Sequence, residues 1–122
     1  MTDEQLSTLR DIQHRIAMWQ EVQFPDATLR GARVHLDREV DEACEELADV
    51  FFLASQCERL GGMPVLLPEI AWQAIVSLGR GPQQVILAKL AKNLARKWPE
   101  KPDAQGVYEA DDAQQTKAEN QG

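Results

Sequence analysis

Four carboxylates at helical spacing are the residues of this chain that point most directly to chemistry. They are Glu39, Glu42, Glu46 and Asp49, and the steps between them are three, four and three residues. At about 100° per residue these positions fall within roughly 80° of one helix face, which we call the acidic stripe. Like charges at these spacings repel by a few tenths of a kcal/mol per pair, so the stripe is destabilising unless a cation neutralises it. Because Mg²⁺ and Mn²⁺ prefer oxygen ligands, the pattern predicts a Mg²⁺ or Mn²⁺ site.

The residues around the acidic stripe favour a metal site over an ordinary solvated helix face. Between positions 37 and 49 the chain has seven acidic residues and a single base, Arg38. Solvated helices usually mix the two signs. An apolar run at positions 50–54 follows directly, so we expect burial there and carboxylates at the edge of an interior cleft. The alternative is an acidic surface stripe without a ligand.

A later segment carries side chains that suit phosphate. Lys89, Lys92, Asn93 and Arg96 follow one another at steps of three, one and three, and we expect them on one face of a fourth helix, opposite an apolar stripe. Arg offers a planar fork, Lys a point charge, and Asn can donate and accept toward a sugar or base. Alone this pattern is typical of a solvated basic face. With the acidic stripe it predicts phosphoryl chemistry, in which two or more divalent ions hold the phosphates and water is the nucleophile.

Aromatic and amide side chains are candidates for base recognition. Trp19, Phe24 and Trp98 could stack on a purine or pyrimidine, and Gln20 and Gln23 could hydrogen-bond a base edge. For Trp19 and Trp98 a role in the core or as an anchor at a helix end is the alternative.

Composition limits the possible classes of protein. The chain has 122 residues, a mass of 13.7 kDa and a net charge of −7. We expect one domain over 1–109 and a disordered polar tail over 110–122. The negative charge argues against binding to a nucleic-acid polymer, whereas free nucleotides held through metal remain possible. The N-terminus lacks a signal-like apolar region and no apolar run could span a bilayer, so we expect a cytoplasmic protein without a membrane partner.

Apolar periodicity predicts an all-α fold. Thr2 and Gln5 form the pattern of a capping box. The predicted helices run over about 3–23, from 29 to the Gly61-Gly62 pair, over about 68–78 and over 82–98, and Pro64 lies in an extended entry into the third. The second could be one long helix or two packed helices with a kink near 43–44.

These motifs and their flanks resemble a known family. The pattern ExxE is present at Glu39 to Glu42, and ExxD at Glu46 to Asp49. The flanking sequences are WQEVQFP at 19–25, HL at 35–36 and KLAKNLARKWP at 89–99. Over roughly 10–109 the chain is similar to the MazG-like all-α nucleoside triphosphate pyrophosphohydrolases, in particular to the phage-type dATP/dGTP subgroup (MazZ-like). It differs in having Arg38 where the family often has Glu, and in lacking the usual loop between the two motifs.

The resemblance implies a fold and a reaction. The fold would be a MazG-like bundle of four to five helices whose active site is completed by oligomerisation, as a homodimer or homotetramer. The reaction would be attack of metal-activated water between the α- and β-phosphorus of a purine deoxynucleoside triphosphate, dGTP ahead of dATP, to give a monophosphate and pyrophosphate. A phage-encoded member would act in the host cytoplasm.

The resemblance also implies roles for individual residues. The acidic stripe would bind two or more Mg²⁺ or Mn²⁺ ions, and Glu39 or Glu42 would also orient the water as the catalytic residue. Phosphates and sugar would be bound by the later segment, at Lys89, Lys92, Asn93 and Arg96. Two alternatives stay open: a non-catalytic acidic helical interaction module, and a phosphoribosyl-nucleotide pyrophosphohydrolase.

Overall fold

A computed structural model describes residues 1–62 and 66–110 of the chain. In these ranges it has no strand and contains four helices: α1 (Asp3–Gln23), α2 (Leu29–Arg59), α3 (Leu67–Ser77) and α4 (Pro82–Ala95). The prediction of an all-α fold is therefore confirmed. The extended entry at Pro64 and the tail beyond 110 lie outside the described residues. The chain divides into two compact units, the first ending at Glu39 and the second beginning at Val40.

In the first unit, two side chains fix the helix starts. The Thr2 hydroxyl accepts the backbone N–H of Gln5 at 3.1 Å, and the Gln5 side chain accepts the N–H of Thr2 at 2.9 Å, which completes the predicted capping box. The Thr28 hydroxyl accepts the N–H of Gly31 at 3.1 Å, so α2 begins at Leu29 as predicted.

Helix α2 is one helix of 31 residues, so the alternative of two separate packed helices is wrong. It ends where the glycine pair predicts. Gly61 has a φ of +83° and donates to the carbonyl of Glu58 at 3.1 Å, while Gly62 donates to that of Cys57 at 2.8 Å. These bonds form a Schellman motif, which satisfies carbonyls that the end of the helix leaves without partners.

The core of the second unit is small and joins three helices. Cys44 and Ala48 of α2, Ile75 of α3 and Ile86 of α4 form its buried cluster. Partly buried side chains that pack against this cluster are Val40, Leu47, Phe51, Phe52 and Val85. This packing places the acidic part of α2 beside α4.

The predicted burial of positions 50–54 is only partly correct. Ala54 is buried, but Val50 is 40% exposed and Leu53 is 61% exposed. The reason is that α2 packs mainly through the side that carries Cys44 and Ala48, and the described residues of the unit leave Val50 and Leu53 largely uncovered.

Helix α4 is shorter than its apolar periodicity predicts, and this corrects one placement. It ends at Ala95, and Arg96 is its C-cap with an extended backbone (φ −75°, ψ 152°), so Arg96 does not lie on the helix face. The Trp98 indole N–H donates to the carbonyl of Asn93 at 2.8 Å. In a longer helix the Asn93 carbonyl would accept the backbone N–H of the residue four positions later. Here it accepts the indole N–H of Trp98, and the helix ends.

The predicted exposure of the two faces of α4 is only partly correct: Ile86 of the apolar stripe enters the core as expected, but Lys89 of the polar face is buried as well. The side chains of Leu87, Leu90 and Leu94, which we call the α4 apolar face, are 53%, 38% and 77% exposed. The polar face of α4 is thus the one directed at α2, because its lysines pair with acidic residues there.

Candidate functional site

The second unit contains an open cavity that brings together residues predicted from two distant segments. Glu46 and Asp49 of α2 line it, as do Asn93 and Arg96 at the end of α4. Its volume is about 1140 Å³, somewhat above the roughly 300–1,000 Å³ of typical small-molecule pockets. Half of the acidic stripe and half of the predicted phosphate-binding set therefore share one site.

The two lysines of that set form ion pairs with α2. The ammonium of Lys89 lies 3.2 Å from a carboxylate oxygen of Asp49, and the Lys89 side chain is only 8% exposed. Lys92 lies 3.7 Å from Glu45, with both side chains about half exposed. Exposed ion pairs contribute little to the free energy of unfolding, whereas a buried charge is strongly destabilising without a partner. Of the two pairs, Lys89–Asp49 should therefore contribute more to stability.

Asn93 holds two neighbours in place on the cavity wall. Its side-chain oxygen accepts a hydrogen bond from Nη1 of Arg96 at 3.1 Å, and its backbone oxygen accepts the indole N–H of Trp98. Both neighbours line the cavity. The Trp98 indole N–H thus anchors the end of the helix, while stacking of a base on its ring stays a prediction. Asn93 acts as a positioning residue in this structure.

The other half of the acidic stripe lies toward the start of α2. Glu39 belongs to the first unit, where a carboxylate oxygen lies 3.4 Å from Nε2 of His35, with both side chains largely exposed. Glu42 is also exposed. The choice between Glu39 and Glu42 as the residue that orients water stays a prediction.

The donor set fits a divalent cation that is held jointly with a phosphate. Among residues 1–62 and 66–110, no three acidic, His or Cys side chains gather into a ready-made metal cage. Glu42 and Asp49 are separated by about 10.5 Å of helix rise, so one ion cannot bind the whole stripe. Mg²⁺ in nucleotide sites usually takes one or two carboxylates and completes its shell with water and phosphate oxygens. Glu46 and Asp49 could supply such a pair, and in this structure the Lys89 ammonium is paired with Asp49.

The aromatic and amide candidates near position 20 lie in the first unit. The rings of Trp19 and Phe24 pack edge to face, with centroids 5.4 Å apart at 88°. The backbone carbonyl of Gln20 accepts the backbone N–H of Phe24 at 2.8 Å. Base binding by Trp19, Gln20 and Phe24 stays a prediction.

Among the cavity residues that sequence reasoning missed are Arg59 in the last turn of α2 and Tyr108 after α4. Tyr108 follows a tight turn in which a carboxylate oxygen of Asp103 accepts the N–H groups of Gln105 and Val107, each at 2.9 Å. An Asp followed three residues later by Gly106 was the available turn signal. Nothing in the sequence indicated that this turn returns to α2.

Comparison with protein-family models, with curated proteins and with solved structures found no match. In the part of the chain that the structure describes, no helix has the length and apolar character needed to cross a bilayer.

Proposed function

We propose that the chain is a Mg²⁺- or Mn²⁺-dependent pyrophosphohydrolase of deoxynucleoside triphosphates, with purine substrates and dGTP ahead of dATP. The observation that carries this proposal is the meeting of Glu46 and Asp49 with Asn93 and Arg96 in one cavity. A triphosphate needs positive charge on its oxygens. Arg59 and Arg96 could supply it directly, and Glu46 and Asp49 could supply it through a divalent cation that they hold.

Different residues of the cavity can bind different parts of a metal–triphosphate complex. Arg59 and Arg96 both line the cavity, and the guanidinium group of an arginine can bind two phosphate oxygens at once. Asn93 fixes Arg96 through a 3.1 Å hydrogen bond, which reduces the entropy lost when a phosphate binds. A divalent cation held at Glu46 and Asp49 would supply charge to the phosphates and lower the pKa of a water molecule.

We also propose that the protein works as a homodimer or homotetramer. Leu87, Leu90 and Leu94 form a continuous row on α4, and the outermost of them is 77% exposed. Rows of this kind on a soluble helix usually mark an interface. A second copy of the chain is the expected partner, because closed symmetric assemblies are the commonest way to bury such a face.

The proposal is tested by product analysis. Purified protein is incubated with each of the four dNTPs and with Mg²⁺ or Mn²⁺, and the nucleotides are separated by ion-exchange chromatography. The expected result is monophosphate and pyrophosphate in equal amounts, with dGTP consumed fastest and no reaction in EDTA. Release of inorganic phosphate and a diphosphate would assign another reaction, and no turnover of any nucleotide would refute the proposal.

A further inference from the structure

The segment that follows α4 forms a wall of the cavity, and this wall carries two aromatic rings. Trp98 and Tyr108 both line the cavity, and their side chains are 43% and 47% exposed. We call these two residues the aromatic wall. Helix α2 contributes Phe52, Leu53 and Gln56 to the lining of the same cavity. The cavity thus has apolar lining residues in addition to its charged residues, Glu46, Asp49, Arg59 and Arg96.

Local hydrogen bonds hold the Trp98 ring and the backbone that leads to Tyr108. The Trp98 indole N–H is engaged by the carbonyl of Asn93 at 2.8 Å, so the ring offers a partner its π surface and not its donor. Tyr108 directly follows the turn closed by Asp103, which also donates its own N–H to the carbonyl of Val107 at 2.9 Å. A ring positioned in advance loses less entropy when a ligand covers it.

Exposed aromatic faces beside a phosphate-binding region suit a nucleobase. Every base has a π-face, and stacking of a base on an aromatic side chain is a common source of affinity in proteins that bind nucleotides. Gln56 adds an amide that can donate to and accept from a base edge. Sugar and phosphate alone would leave these rings uncovered.

We infer that Tyr108 and Trp98 form the base subsite, on which the nucleobase stacks while the phosphates lie toward Asp49 and Arg96. This inference rests on the proposed function and places base recognition on the segment after α4, in the second unit. Tyr108 is then a specificity-determining residue that the sequence motifs do not include.

The test separates the base from the rest of the ligand. Binding of dGMP and of deoxyribose 5-phosphate is measured by calorimetry in Mn²⁺ buffer for the wild type, Tyr108→Leu and Tyr108→Phe. We expect Tyr108→Leu to weaken dGMP binding about tenfold or more, to leave deoxyribose 5-phosphate unchanged, and Tyr108→Phe to match the wild type. Equal dGMP affinity in wild type and Tyr108→Leu, or equal loss for both ligands, would overturn the subsite.

A second measurement needs no variant. The monophosphate of 2-aminopurine deoxyriboside is fluorescent, and stacking quenches it, so binding to the wild-type protein should reduce its emission. Binding without quenching would show that the base does not stack and would overturn the inference while leaving the proposed hydrolysis intact. A wild-type protein that neither hydrolyses dNTPs nor binds dGMP would instead refute the proposed function, and the subsite with it.

Discussion

The ammonium of Lys89 and the carboxylate of Asp49 form a 3.2 Å ion pair, in which the lysine is 8% and the aspartate 38% exposed. This lysine neutralises one end of the acidic stripe while Asp49 still faces the cavity. Because Lys89 and a divalent cation would both be attracted to the same carboxylate, they compete for it.

Replacement of Lys89 by methionine should therefore strengthen Mn²⁺ binding. The side-chain volume is nearly kept and the competing charge is lost, so we expect roughly a tenfold lower Kd, which equals about 1.4 kcal/mol. Calorimetric titration with Mn²⁺ alone measures it. Lys92→Met is the matched control, since Lys92 pairs with Glu45 outside the acidic stripe, and its Mn²⁺ affinity should not change. Equal affinity of Lys89→Met and wild type would contradict the competition.

Loss of a cavity carboxylate should abolish hydrolysis without loss of the fold. Glu46→Gln is the preferred change, because Glu46 is exposed and lines the cavity. We expect kcat/KM for dGTP to fall at least about 100-fold and the melting temperature to stay near that of the wild type. Glu45→Gln, one residue earlier, is the control and should retain activity. Full activity of Glu46→Gln would place the metal site elsewhere.

Asp49→Asn should behave differently from Glu46→Gln. It also removes activity, but it leaves the buried Lys89 without its charged partner. Because the Asp49 side chain is itself 38% exposed, we expect a cost of about 1–3 kcal/mol, that of a buried polar group left unpaired. We expect a clearly lower melting temperature, partly restored in the double variant Asp49→Asn with Lys89→Met. If the single variant is as stable as wild type, the pair contributes no stability and Lys89 is solvated more than its burial indicates.

The sequence predicts the helices better than it predicts the contacts between them. Capping residues and glycine pairs act locally, so the starts of α1 and α2 and the end of α2 follow from them. The end of α4 does not, because the indole of Trp98 replaces helical hydrogen bonds from outside the helix. Apolar periodicity on α4 indicates a face to be covered but not what covers it, so the burial of Lys89 was not foreseen.

The two cysteines should differ in reactivity and in their effect on stability at high pH. Burial raises the pKa of the Cys44 thiol above its ordinary value of 9.0, an effect that Arg80 opposes and Asp41 reinforces. Above pH 9 the unfolded chain therefore loses this proton while the folded chain keeps it, and the free energy of unfolding falls as pH rises. Urea unfolding at about pH 8 and about pH 10, on either side of that ordinary value, should show a smaller decline in the free energy of unfolding for Cys44→Ala than for wild type.

In the folded protein a thiol reagent should label the exposed Cys57 and spare the buried Cys44.

The α4 apolar face should hold the proposed oligomer together. Leu94 is 77% exposed, so a charged residue there is tolerated by the isolated chain but not by an interface. We expect Leu94→Glu to elute from size-exclusion chromatography with light scattering as a monomer, while the wild type elutes as a dimer or tetramer. The far-ultraviolet circular dichroism of the variant should remain helical.

The matched control for Leu94→Glu is Ala88→Glu, which adds the same charge at another exposed position of α4. Six residues separate the two positions, so Ala88 lies about 120° around the helix from Leu94 and off the α4 apolar face. The Ala88→Glu protein should therefore keep the assembly. A Leu94→Glu protein with wild-type mass would place the interface elsewhere, and a monomeric wild type would exclude an oligomer through this face.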